Sequence, residues 1–220
     1  GLRSLPASMI IAIDGTTASG KGTIAKRLAA RYGLPHMDTG RLYRATAVAA
    51  IKRGVALDDA TGLAAIAASL DLADFDEAEL RTGEAGKAAS KVAVIPEVRQ
   101  ALFDLQRAFA VQPRGALLDG RDIGTVIAPD ADVKLWVDAN VEQRGYRRWK
   151  EYVGYGHDMS LEEVIKQLRI RDERDQSRKD APATIATDAV LIDTTDLTID
   201  AAVEKAIAAV EAVLARGKTV

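Results

Sequence analysis

Short apolar runs alternate along the chain with longer stretches in which apolar residues recur every three or four positions. The runs at 9–13, 34–37, 116–118, 133–137 and 189–192 are too short for helices and are bounded by Gly, Ser or Asp. They predict buried parallel strands, each followed by a loop and most by a helix. Positions 24–30 read as the first helix. Between 40 and 114 the pattern is mostly helical with no core strand, too much for one crossover, and predicts a helical insertion. Within it, 71–86 reads as an acidic, irregular surface excursion. Positions 144–178 read as two helices joined by the tip Gly154-Tyr155-Gly156-His157-Asp158. That tip is either a plain helix–helix loop or the hinge of a lid. The last helix, 199–214, places Ile199, Val203, Ile207, Val210 and Leu214 on one stripe, with Asp196 or Thr198 as its cap. Alternating strands and helices imply an α/β fold with helices on both faces of a parallel sheet. Ligands of such sheets bind beyond the C-terminal ends of the strands.

The first of those ends carries the most specific signal. Gly15-Thr16-Thr17-Ala18-Ser19-Gly20-Lys21-Gly22-Thr23 sits between the first strand and the first helix. Strand, glycine loop and helix are the context in which G-x-x-x-x-G-K becomes a phosphate cradle. Its backbone N–H groups turn inward around an anion, and the helix start adds partial positive charge. Lys21 would then reach the β- and γ-phosphates of a nucleotide. The strict motif continues K-[ST], whereas Gly22 follows Lys21 here and the hydroxyl comes at Thr23. Thr23 therefore contacts either phosphate or a metal through water.

Composition narrows the classes without choosing among them. The chain has 220 residues, 48% hydrophobic and 28% charged, which suits one soluble domain, 9–220, behind a disordered leader, 1–8. There is no cysteine, so disulfides, thiolate nucleophiles and zinc–thiolate sites are excluded. A net charge of −2 argues against a dedicated nucleic-acid binder. No apolar run approaches a membrane span, and the start does not read as a signal peptide, so the expectation is a cytoplasmic protein. His36 and His157 have no serine or cysteine partner in the pattern, so triad chemistry is not expected.

Three further stretches carry candidate chemistry. Asp38-Thr39-Gly40-Arg41-Leu42-Tyr43-Arg44 follows the second strand, offering a hydroxyl at Thr39 and a phosphate-matched fork at Arg44. Asp119-Gly120-Arg121-Asp122-Ile123-Gly124-Thr125 follows the third. There Asp119 either orients Mg²⁺ through water or braces a neighbouring loop. Arg121 is placed to meet phosphate, and Asp122 to accept from an exocyclic amine. Arg171-Asp172-Glu173-Arg174-Asp175-Gln176-Ser177-Arg178 has helical spacing, with 171, 175 and 178 on one face, as have Arg144, Arg147 and Arg148 before it. Such a run is either a solvated, salt-laced face or a set of arginines that closes on transferring phosphate.

Together, in this order, the glycine loop, D-T-G-x-x-Y-R, D-G-R-D-I-G-T and R-D-x-R-D-x-x-R resemble the bacterial cytidylate kinases, a nucleoside monophosphate kinase family, over about 9–214. The resemblance implies a three-layer P-loop kinase fold on a five-stranded parallel sheet, with an NMP-binding insert at 41–113 and a short lid at 145–160. It implies ATP-dependent phosphorylation of CMP and dCMP with Mg²⁺, by a monomer that needs neither nucleic acid nor membrane. The loop from Gly15 to Thr23 (Thr16, Thr17, Ala18, Ser19, Gly20, Lys21 and Gly22 included) would hold ATP with help from Arg147 in the lid. Thr39, Arg44, Arg121 and Arg178 would hold the acceptor phosphate, and Ser90, Arg99 and Asp122 would read cytosine. Arg171 and Asp175 would meet the sugar, and Thr23 and Asp119 would face the metal through water. Lys21, Arg121, Arg178 and Arg147 would carry the catalysis. Two departures from the family pattern are Thr16 in place of its usual proline and a short excursion at 74–86 where many relatives have a longer, β-rich one. Rival readings are a shikimate- or AMP-type kinase on the same scaffold and a regulatory ATPase that needs no acceptor.

Overall fold

The computed structural model describes residues 6–217. The five apolar runs form β1 (Ile10–Gly15), β2 (His36–Asp38), β3 (Ala116–Gly120), β4 (Val133–Asp138) and β5 (Val190–Asp193). They make one sheet in the order β2-β3-β1-β4-β5 with every pair parallel. β1 is central, with Ile11 level with both Leu117 of β3 and Val133 of β4. All five strands run past the apolar residues and end in Asp or Gly, because the parallel ladder continues to pair there. This sets Asp119, Gly120 and Asp138 at the C-terminal edge beside Gly15.

Alternate residues of β1 serve the two faces of the sheet. Ile11 and Ile13 pack with Ile24 and Leu28 of α1 (Lys21–Tyr32) and with Val203 and Val210 of α9 (Ile199–Arg216). Ile10 and Ala12 pack on the other face with Leu118, Ile123 and Ile127. The connection from β2 to β3 is helical, as expected: α2 (Thr39–Arg53), α3 (Ala60–Ala68), α4 (Glu77–Leu80), α5 (Gly83–Val92) and α6 (Pro96–Ala110). It has its own core of Leu42, Leu63, Val92, Val98 and Leu102. After β4 come α7 (Val141–Gly154) and α8 (Leu161–Ser177), the expected helix pair. Asp38, Thr82, Asn140, Ser160 and Thr198 each accept a backbone N–H from the first turn of α2, α5, α7, α8 and α9. Thr198, one of the two residues expected to cap the last helix, is the one that does so.

Two close approaches explain glycines that helix or strand propensity alone would disfavour. A Cβ on Gly15 would lie 2.1 Å from the Val137 carbonyl oxygen, so only glycine lets β1 turn into its loop against β4. A Cβ on Gly145 would lie 2.4 Å from Cγ1 of Ile165, so α7 and α8 touch nearly backbone to side chain.

Two expectations need correction. Residues 71–86 are not irregular: they hold a 3₁₀ turn, Leu72–Asp74, then α4 and the start of α5. Leu80 is fully buried and anchors the segment. Ile199 does not join the apolar stripe of α9 but is 41% exposed. Alanines 202, 206 and 209 complete the buried face instead, because small side chains let α9 lie close to the sheet. Of the expected leader, residues 1–5 lie outside the described residues, as do 218–220 at the other end; the Ser8 N–H bonds the Pro113 carbonyl at 3.2 Å. Among the described residues no helix is long and apolar enough to cross a membrane.

Leu102 is fully buried where α6 packs in the inserted helices. Leu102→Ala is expected to cost about 2–5 kcal/mol of unfolding free energy by urea titration. A loss below about 1 kcal/mol would show that these helices do not pack as a tight core.

Candidate active site

The loop between β1 and α1 is shaped by its backbone and tied down on three sides. Ala18 and Gly20 take left-handed conformations, φ +63° and +95°, which fold residues 16–20 into a tight turn. The Thr16 hydroxyl donates to Asp138 at 2.7 Å and the Ser19 hydroxyl to the Thr16 carbonyl at 2.7 Å. The Thr194 hydroxyl donates to the Ser19 carbonyl at 2.7 Å. Arg144 of α7 donates to the Thr17 carbonyl at 3.2 Å and grips Asp172 of α8 with both terminal nitrogens, at 3.2 and 2.6 Å. Thr23 is exposed at the start of α1.

Lys21 leaves the loop towards β3. Its Nζ lies 2.5 Å from Oδ1 of Asp119, whose other oxygen lies 2.6 Å from His36 Nε2. The Thr39 hydroxyl donates to the Asp119 backbone carbonyl at 2.8 Å. Asp119 is 1% exposed. Burial alone would raise its pKa, but Lys21 and His36 outweigh that and bring it to about 2. Of the two roles open to Asp119, bracing a neighbour is thus visible directly.

Next to Lys21 opens a cleft between the sheet edge, the inserted helices and α8. Thr39, Arg44, Ser90, Arg99, Arg121, Asp122, Arg171, Asp175 and Arg178 all line it, together with Lys21. The sequence-expected acceptor residues, drawn from α2, α5, α6, the turn after β3, and α8 with its C-terminal cap, therefore meet at one place. Asp175 is the hub on one wall: Arg121 Nε lies 3.3 Å, Arg178 Nη1 3.7 Å and Arg171 Nε 4.0 Å from its carboxylate. Arg121 also donates to the Thr17 hydroxyl at 2.9 Å, which links this wall to the glycine loop. Arg178 donates twice to the Ala181 carbonyl, at 3.1 and 2.7 Å. Burial first, then Arg121 alongside, pulls the Arg171 guanidinium down to about 10; burial and the nearby Arg99 likewise lower Arg178. On the opposite wall Arg99 pairs with Oδ2 of Asp122, donates to the Ala93 carbonyl at 3.1 Å and lies over the Tyr43 ring, 5.4 Å from its centre. Arg44 pairs with Asp38 at 3.0 Å.

Several buried polar atoms of this cleft have no partner within the protein: Ser90 Oγ and the Nε atoms of Arg44, Arg99 and Arg171. Buried polar atoms are costly unless bonded. Four such atoms gather on this one cleft.

Arg147 does not line this cleft. It donates to the Thr194 hydroxyl and carbonyl at 3.0 and 2.5 Å, on the far side of the glycine loop. Arg144 and Arg148, expected on the same face, also part company: Arg144 is buried at the base of the loop, and Arg148 faces the gap beside Tyr152. Sequence reasoning missed His36, Tyr43, Asp38, Asp172 and Thr194. Tyr43, Asp38 and Asp172 lay inside quoted motifs. The partners of His36, Asp172 and Thr194 are set by strand order and helix pairing, for which the chain carries no local signal.

No group of three or more His, Asp or Glu among the described residues could hold a metal alone.

A phosphate loop at the centre of a β2-β3-β1-β4-β5 parallel sheet, facing an arginine-lined cleft, defines a P-loop small-molecule kinase. Comparison with known proteins narrows the class. The family model for cytidylate kinase matches residues 11–212, and the chain belongs to that family. The cytidylate kinase of Caulobacter vibrioides is 53% identical over 207 residues, covering 94% of this chain and 97% of that protein. That of Methylocella silvestris is 56% identical over 203 residues, covering 92% and 94%. Among solved structures, an uncharacterised protein from Eubacterium ventriosum (TM-score 0.54, 14% identity, 92% of this chain and 98% of that one) shares the fold.

Buried Asp14, next to the loop, accepts the Ile123 and Gly124 N–H groups at 2.9 and 2.8 Å. Burial nevertheless raises its pKa from 3.8 to about 6. A raised carboxylate contributes stability that is fully present below pH 3.8 and is lost as pH rises through about 6. The shift corresponds to about 3 kcal/mol. The stability of the native protein minus that of Asp14→Asn is therefore expected to fall by up to this amount from pH 4 to pH 7 in urea titrations. A pH-independent difference would refute the shift.

Proposed function

We propose that the chain transfers the γ-phosphoryl group of ATP to the 5′-phosphate of CMP and dCMP. The observation that carries this reading is the cleft itself: an arginine wall around Asp175 and a separate Arg99–Asp122 pair, both within reach of Lys21. Arg44, Arg121 and Arg178 hold the acceptor phosphate, with Thr39 beside them. Ser90, Arg99 and Asp122 read the base, and Arg171 and Asp175 meet the sugar.

The chemistry of the base fits these groups. Cytosine presents an N4 amine donor and acceptors at N3 and O2. Arg99 engages only Oδ2 of Asp122, which leaves the carboxylate able to accept the amine. Ser90 and Arg99 supply donors. A wrong base leaves these buried groups unpaired, which is how such a site discriminates.

The acceptor phosphate has a second pKa of about 6, so it is already ionised at neutral pH and needs no general base. Catalysis is then positioning and charge neutralisation. The glycine loop, 15–23, cradles the ATP phosphates, and Lys21 exchanges Asp119 for them. Arg121 and Arg178 approach the transferring group from the acceptor side. Arg147, from α7, supports ATP from the other side. Thr23 and Asp119 would face Mg²⁺ through water, and the ion when bound would supply further neutralisation of phosphate charge. The helices at 41–113 act as the acceptor-binding insert and 145–160 as the lid, whose closure excludes water as a rival acceptor. Since every proposed contact comes from one chain, a cytoplasmic monomer suffices.

A coupled ADP-release assay with a panel of acceptors tests the reading. CMP and dCMP are expected to support turnover, and AMP and shikimate are not. ATP consumption without any acceptor would instead favour a regulatory ATPase. Lys21→Ala is expected to lower kcat by about 10²–10³-fold with the fold intact by circular dichroism; near-normal turnover would remove Lys21 from the mechanism. Asp122→Ala is expected to reduce the preference for CMP over other nucleoside monophosphates far more than it changes KM for ATP. Unchanged base selectivity would count against Asp122 as the reader of the amine.

A further inference from the structure

The geometry points to His36 as a positioning residue for Lys21, acting through Asp119. This inference rests on the reading of Lys21 as the lysine that moves to the ATP phosphates. His36 is the first residue of β2 and does not line the acceptor cleft. Its Nε2 nevertheless lies 2.6 Å from Oδ2 of Asp119, and Lys21 Nζ lies 2.5 Å from Oδ1. The Asp119 side chain is 2% exposed, against 11% for Lys21 and 19% for His36. A carboxylate so deeply buried must keep its oxygens bonded.

The arrangement gives Lys21 a parking place that it can leave. In the free protein the lysine and the histidine divide the two oxygens of Asp119. When Lys21 turns to the phosphates, the Nε2–H of His36 stays on the carboxylate as its remaining side-chain donor. Without His36, Oδ2 would lose its donor and Lys21 would become the carboxylate's only side-chain partner. Asp119 would then hold the lysine more firmly, and the exchange from carboxylate to phosphate would cost more. The inference needs only the hydrogen bond of a neutral imidazole and no change of protonation. His36 thus governs how readily the lysine is released, while the acceptor side, built on Asp175 and the Arg99–Asp122 pair, stands apart from it.

The test is calorimetric titration of the full chain with a non-hydrolysable ATP analogue and, separately, with CMP. His36→Phe, which keeps a ring and removes the donor, is expected to weaken the analogue about tenfold, the loss of one hydrogen bond to a charged group. His36→Gln, whose amide nitrogen reaches about as far as Nε2, is expected to stay within about twofold of the native protein. CMP affinity is expected to be unmoved in both. In a Lys21→Ala background His36→Phe is expected to add nothing, since there is no lysine left to release. If the Phe ring prevents folding, His36→Leu removes the same donor with less bulk. Native affinity for the analogue in the folded Phe or Leu variant would overturn the inference. So would equal weakening of analogue and CMP, or a Gln variant as weak as Phe, since either describes a merely structural histidine. Lys21→Ala alone separates this inference from the one beneath it. Native binding of the analogue there removes the phosphate role of Lys21; weakened binding there with unchanged binding in His36→Phe removes only the role of His36.

Discussion

Crowded positive charge is the constraint on which the rest of this structure depends. Arg44, Arg99, Arg121, Arg171 and Arg178 line one cleft with Lys21. Like charges so close in a partly buried site repel strongly. Four aspartates keep the cleft assembled: Asp38 on Arg44, Asp119 on Lys21, Asp122 on Arg99, and Asp175 among Arg121, Arg171 and Arg178. Burial and the neighbouring Arg121 still lower the pKa of Arg171.

The scaffold exists to bring those groups together from distant parts of the chain. A parallel sheet places the C-terminal ends of its strands on one edge, and the central position of β1 puts the glycine loop between Asp119 of β3 and Asp138 of β4. The inserted helices have their own core, on which α5 and α6 present Ser90 and Arg99. On the other side α8 carries Arg171 and Asp175 four residues apart, with Arg178 as its C-terminal cap, and all three line the cleft.

Much of this was legible in the chain because it is written locally. Strand-length apolar runs, the glycine loop and the i, i+4, i+7 spacing of α8 depend on neighbours in sequence. The pairs that depend on strand order were not legible. His36 meets Asp119 because β2 lies beside β3 in parallel register, and no spacing in the chain announces that. Thr194 reaches the glycine loop for the same kind of reason, since β5 lies beside β4. Alternating Arg and Asp was ambiguous between a solvated face and a functional one. The structure shows both: Arg169 pairs with Glu142 in solvent while Arg178 is buried two turns later. Leu80 shows the converse failure, where one buried leucine orders a stretch whose composition reads as surface.

Arg144 ties the carbonyl of Thr17 to Asp172, and Gly145 lets α7 lie directly against Ile165. The roots of α7 and α8 are therefore riveted to the glycine loop and to each other. Any movement of this hairpin has to flex beyond the rivet, towards Gly154 and Gly156, while the root acts as a fixed fulcrum.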